Sequence, residues 1–141
     1  MAYQKPFKER PVTLIMYLLD TDVLIWVLRG KKDIVQKVSR LKDLSALCIS
    51  VISIAEIYKN IFPSELMTTE EYIQQHIILE VDQKIAKTAG LYWQEHSKQL
   101  KNLSLTDCLI AATAHINDAS LVSLNTKHFP MKNIKTINPL K

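Results

Sequence analysis

Three acids stand where metal-dependent hydrolysis would need them: Asp20, Glu56 and Asp107. Asp20 directly follows the apolar run Leu14 to Leu19, and Glu56 comes soon after the apolar segment Leu47 to Val51. Asp107 opens an apolar helical stretch, and Asn125 follows Leu121-Val-Ser-Leu124. In open α/β sheets, ligands bind beyond the carboxyl ends of the strands. Acids placed there converge on one cleft. Carboxylates about 4 Å apart repel by roughly 4 kcal/mol per pair at an effective dielectric of 20. Such a cluster therefore needs a cation or raised pKa values. With oxygen ligands and neither a thiol nor a paired histidine nearby, Mg²⁺ or Mn²⁺ is the expected occupant. That ion would polarise a phosphodiester and acidify an attacking water. No nucleophile triad is visible, and the only glycines are Gly30 and Gly90, so no phosphate-cradling loop competes with this reading.

Each acid also has a structural explanation. Asp20 can cap the helix that follows it. Ser53-Ile-Ala-Glu56 fits a capping box, Ser104-Leu-Thr-Asp107 is an Asp version of it, and Thr68-Thr-Glu-Glu71 fits as well. Local pattern alone leaves caps and catalysts both open.

The elements that must position these residues follow from periodicity. Short runs apolar on both faces read as buried parallel strands at 14–19, 47–51, 77–81, 120–124 and 134–137. Helices are expected at 21–28, 33–41, 53–60, from a Thr68 or Thr69 cap to about His76, at 82–100 and at 105–117. Strand and helix alternate almost throughout, which predicts a three-layer α/β/α fold around a mainly parallel central sheet of about five strands. At 141 residues one domain is expected, with residues 1–15 as a polar, proline-bearing extension before a domain over 16–141. A chain of this size needs no structural metal to fold.

The net charge of +4 includes three cations against one acid in the first 15 residues. Such a balance permits phosphate contact without being that of a protein binding nucleic acid by charge alone. Lys31, Lys32, Lys37, Arg40 and Lys42, then Lys127, Lys132 and Lys135, read either as solvated faces or as phosphate contacts. Cys48 and Cys108 have no metal-site spacing and suit buried thiols in a reducing cytoplasm. No apolar stretch reaches the roughly 20 residues of a membrane span, and no signal peptide is visible. His76, His96, His115 and His128 are scattered and read as surface or core histidines. Trp26 and Trp93 suggest core packing, with a lesser alternative that Trp26, Leu24 and Leu28 line a groove for a partner helix.

At four segments the sequence resembles the PIN-domain family, and within it the VapC-like toxins of toxin–antitoxin pairs. They are Tyr17-Leu-Leu-Asp-Thr-Asp-Val-Leu-Ile25, Ile49-Ser-Val-Ile-Ser-Ile-Ala-Glu-Ile57, Leu105-Thr-Asp-Cys-Leu-Ile-Ala-Ala-Thr-Ala114 and Leu121-Val-Ser-Leu-Asn-Thr-Lys-His-Phe129. Their order and spacing cover residues 14 to 140. The resemblance implies a PIN-like fold and an acidic site at Asp20, Glu56 and Asp107, with Asn125 at a fourth position and Ser123 beside it. It also implies Mg²⁺- or Mn²⁺-dependent endonucleolytic cleavage of RNA by water, leaving a 5′-phosphate and a 3′-hydroxyl. A small cognate antitoxin and a homodimer are implied as partners. Asp22 departs from the commoner Asn and is either a further acceptor or a helix first-turn acid. The segment between Lys59 and Glu80 is short for the family, and the residues before Met16 have no counterpart. Two other readings stay open: a degenerate PIN domain that binds RNA or protein without cutting, and a haloacid-dehalogenase-like phosphatase suggested by Asp20-Thr-Asp22-Val.

Overall fold

The computed structural model describes residues 15–141, so the expected extension at 1–15 lies almost wholly outside the described residues. Strands β1 (Met16–Leu19), β2 (Ala46–Ser50), β3 (Ile77–Leu79), β4 (Ser120–Val122) and β5 (Thr136–Ile137) form one sheet in the order β3-β2-β1-β4-β5. Every pairing is parallel. The helices are α1 (Thr21–Leu28), α2 (Lys32–Leu44), α3 (Val51–Asn60), α4 (Leu66–Gln74), α5 (Gln83–His96) and α6 (Leu105–Ile116).

Alternation along the strands builds two cores. Leu18, Cys48 and Leu121 point to the face covered by α5 and α6, where Ala89, Tyr92, Cys108 and Ile110 pack. Tyr17, Leu19, Leu47, Ile49 and Val122 point to the other face, against Val23, Leu24, Ile34, Ile57 and Ile73 of α1 to α4. Successive residues of a strand face opposite ways, so strands covered on both sides must be apolar throughout. That is why these runs show no polar alternation.

The elements begin and end for local reasons. Gly30, at φ 74°, supplies the left-handed residue that stops α1, with its N–H donating to Val27 O. Ser50 caps α3 by accepting from Ile52 N at 3.1 Å. The helix therefore starts two residues earlier than expected, and Ser53 is an interior residue rather than its cap. The helix expected from Thr68 or Thr69 starts at Leu66 instead. Pro63, with its fixed φ, opens a single 3₁₀ turn at Pro63–Glu65, and the Glu65 carboxylate accepts from Phe62 N. Asp82 caps α5 through Ile85 N, and the helix ends at His96, short of Leu100.

Register decides what meets at the sheet's carboxyl edge. Leu19 lies opposite Val122, and Leu18 opposite Cys48. The residue after β1 is Asp20 and the residue after β4 is Ser123, so these two become neighbours. Ser50 ends β2 beside Leu79 of β3 at the same edge.

Candidate active site

Asp20 is only 7% exposed, and both of its oxygens are occupied. Oδ1 accepts from Thr21 N at 2.9 Å as the cap of α1, and Oδ2 accepts from the Ser123 hydroxyl at 2.8 Å. The Ser123 oxygen in turn accepts from Asn125 N at 3.0 Å. A chain of donors thus runs from the loop after β4 into the acid after β1. Asn125 joins the site through its backbone, and its side chain lies on an exposed residue.

Burial pushes the Asp20 carboxyl from 3.8 up to about 7. The charge of Asp22 adds to the rise, the Ser123 hydroxyl and the Thr21 amide oppose it, and Asp107 contributes a smaller upward push. Asp22 is raised too, chiefly by burial, while the backbone at Val23 and Leu124 and the nearby His128 favour its charged form. Its Oδ1 is buried with no hydrogen-bond partner among the described residues. A buried acceptor left open is costly unless something electropositive meets it.

Glu56 sits on α3, one turn beyond Ser53, so both face α1. The Thr21 hydroxyl lies 2.7 Å from Glu56 Oε1 and 2.9 Å from Ser53 Oγ. A carboxylate only accepts and a hydroxyl has one proton. The single Thr21 proton is therefore shared between the Glu56 carboxylate, at the shorter distance, and the Ser53 oxygen, both of which accept from it. Asp107 closes a capping box on α6: its N–H donates to Ser104 Oγ at 3.0 Å, and its Oδ2 accepts from Ser104 N at 3.2 Å.

The carboxyl edge thus places Asp20 and Asp22 together, with Ser123 on Asp20 and Asp107 within electrostatic reach. Glu56 is linked to them through Thr21. The structure does not draw Asp20, Glu56 and Asp107 into one tight cage: among the described residues no three His, Cys, Asp or Glu side chains are already arranged to hold a metal ion. Like charges repel, and Glu56 and Asp107 each take donors of their own. The donor set still suits a hard cation. It consists of oxygen ligands, one of them buried and unpartnered, while the only ion pair among the described residues, Glu95 with His96, lies elsewhere.

Thr21 went unmarked in the sequence, while Ser53, expected as a helix cap, and His128, expected as a surface or core histidine, prove to act beside the acids. The i, i+3 spacing of Ser53 and Glu56 was the available signal, since it puts both on one helix face. His128 reaches Asp22 by way of the 3₁₀ turn Thr126–His128, which no pattern announced. Trp26 and Trp93, expected in the core, are instead 40% and 46% exposed because each stands on the outward side of its helix, and the groove suggested for Trp26, Leu24 and Leu28 loses Leu24. Leu24 is fully buried in the core, so it shares no surface with Trp26. Cys48 and Cys108 are free and buried, as expected. No helix of the described residues is long and apolar enough to cross a membrane.

Comparison with known proteins agrees with this architecture. "Ribonuclease VapC10" of Mycobacterium tuberculosis is 36% identical over 119 residues, covering 82% of this chain and 87% of that protein. A toxin–antitoxin complex from Klebsiella pneumoniae contains a chain of similar fold, with TM-score 0.70, 26% identity and coverage of 87% of this chain and 97% of that one. VapBC2 from Rickettsia felis, solved bound to a DNA fragment from its promoter, gives a TM-score of 0.76 at 20% identity, covering 88% of this chain and 98% of that one. The PIN domain family matches residues 17–133, which excludes the phosphatase alternative; this chain belongs to the PIN-domain family.

Proposed function

We propose that this chain is a metal-dependent endoribonuclease and the toxin of a toxin–antitoxin pair. The observation that carries the reading is the buried Asp20 beside the half-buried Asp22 at the carboxyl edge of a PIN-domain sheet, with one buried Asp22 oxygen left open. The ribonuclease name of the relative at 36% identity and the toxin–antitoxin complexes among the structural neighbours support it.

Asp20 and Asp107 would hold Mg²⁺ or Mn²⁺, with Glu56 joining directly or through a water. When bound, the cation supplies positive charge that polarises the phosphodiester and acidifies the attacking water. The chain's own groups do the positioning. Ser123 fixes the Asp20 carboxyl plane, Thr21 fixes Glu56, and Asn125 stands at the exposed rim to orient water or substrate. Asp22 raises the negative potential beside Asp20 and so strengthens its demand for a cation. A small antitoxin is the proposed inhibitor, a homodimer the proposed assembly, and the cytoplasm the proposed location.

The test is cleavage of structured and single-stranded RNA with Mg²⁺, with Mn²⁺ and with EDTA. Cleavage should need the metal, leave 5′-phosphates, and vanish in Asp20→Asn while that variant keeps its fold by circular dichroism. Undiminished cutting by Asp20→Asn would sink the assignment. Binding without any cleavage by the parent chain would instead favour the degenerate, RNA-binding alternative.

A further inference from the structure

The exposed face of α1 carries features that the acidic site does not use. Asp22, Trp26 and Arg29 follow at i, i+4 and i+7, one stripe of the helix. At 1.5 Å per residue this stripe leads about 10 Å away from the acidic pair. Trp26 is 40% exposed, although a tryptophan at this spacing would ordinarily be core. The Arg29 guanidinium lies 5.9 Å from its ring centroid, and the Lys31 ammonium 5.1 Å. Neither cation, nor the adjacent Lys32, has an acidic partner among the described residues. Beyond them a shallow depression lined by Gly30, Lys32, Gln36 and Arg40 extends the positive surface along α2.

We propose that Trp26, with Arg29 and Lys31, is a platform on which an unpaired nucleotide of the RNA substrate stacks while its phosphates meet the two cations. The inference rests on the ribonuclease reading above and adds to it a substrate class: RNA that is single-stranded beside the cleaved bond. Both cations lie over the ring, so an incoming base takes the π-face by displacing them onto its own phosphates, which exchanges a cation–π contact for stacking plus charge pairing. The charge favours a polyanion over an apolar protein helix, since unpaired cations ring the only large apolar group of the stripe. Trp26 stands four residues beyond Asp22, about 6 Å along the axis, which at roughly 3.4 Å of rise per stacked nucleotide places the stacked base about two nucleotides from the acids.

The chain has two tryptophans, so a Trp93→Phe background makes Trp26 the sole reporter. Titration with a single-stranded RNA decamer in EDTA should quench its emission. Trp26→Ala should weaken binding about tenfold, and Trp26→Phe should recover most of the loss. Arg29→Ala with Lys31→Ala should flatten the log–log salt dependence by about 1.4, at roughly 0.7 per phosphate contact on a single strand. RNA bound and cut with unchanged affinity and KM by Trp26→Ala overturns the platform while leaving the ribonuclease reading intact. If Trp26→Ala loses a co-expressed antitoxin but keeps its RNA affinity, the face belongs to a protein and the platform is likewise overturned. A parent chain that neither binds nor cuts RNA overturns both readings.

Discussion

The Ser123 hydroxyl donates to Asp20 Oδ2 at 2.8 Å across 103 positions of sequence, and it does so because Leu19 pairs with Val122 one step earlier. Parallel register thus delivers a donor to a carboxylate that is otherwise crowded by other acids. Removing it leaves Asp20 buried with one donor fewer.

Ser123→Ala should therefore raise the Asp20 carboxyl further, because the hydroxyl favours its charged form. If ionised Asp20 is needed for cleavage, the acidic limb of the pH–rate profile moves to higher pH. A hydrogen bond to a charged group contributes about 1.5–3 kcal/mol, so cleavage at neutral pH should fall roughly tenfold or more. A profile that keeps its position while the rate drops would mean that Ser123 acts otherwise.

Stability in EDTA should fall as pH rises from about 4 to about 7. Asp20 ionises near 3.8 when unfolded and near 7 when folded. In that window the folded chain binds more protons than the unfolded one, so the slope of stability with pH is negative. The stabilisation is complete below the unfolded value and gone above the folded one. Urea midpoints measured at pH 5 and pH 8 should show the drop, and Asp20→Asn should reduce it.

Divalent cations should reverse that loss. A ligand at one hundred times its Kd stabilises by about 2.7 kcal/mol. Melting temperature at pH 8 should climb with Mn²⁺ or Mg²⁺ in the parent and stay flat in Asp20→Asn. An equal rise in both would place the ion elsewhere.

Thr21→Val keeps the shape of the side chain but strips Glu56 and the buried Ser53 of their shared hydroxyl. An unsatisfied buried polar group costs about 1–3 kcal/mol, so denaturant stability should drop by that order. Thr21→Ser should restore most of it. Equal stability of the valine and serine variants would show that the network is idle.

Much of this architecture was legible because it follows from patterns that propagate. Leu14 to Leu19 ending in Asp20 signals a buried strand and the edge where ligands bind, and Leu121 to Leu124 signals another strand, though not that the two are neighbours. The helix boundaries that moved did so through single polar groups: Ser50 rather than Ser53 as the cap of α3, and Pro63 as the start of the turn before α4. At the site, the types of Asp20, Glu56 and Asp107 were readable, but their partners were not. Thr21 bonding Glu56 depends on α1 packing beside α3, a tertiary fact with no local period. Trp26 illustrates the reverse, since a residue type that usually packs inside stands on the surface here.

The sheet order β3-β2-β1-β4-β5 also has a temporal meaning. Among the described strands the central β1 comes earliest in the chain, yet its neighbour β4 comes more than a hundred residues later. Such non-local pairing closes slowly. An amino-terminal fragment that stops short of β4 holds Asp20, Glu56 and Asp107 but lacks Ser123 and the strand that completes their edge. The edge that carries Asp20 is therefore complete only once almost all of the domain has been translated.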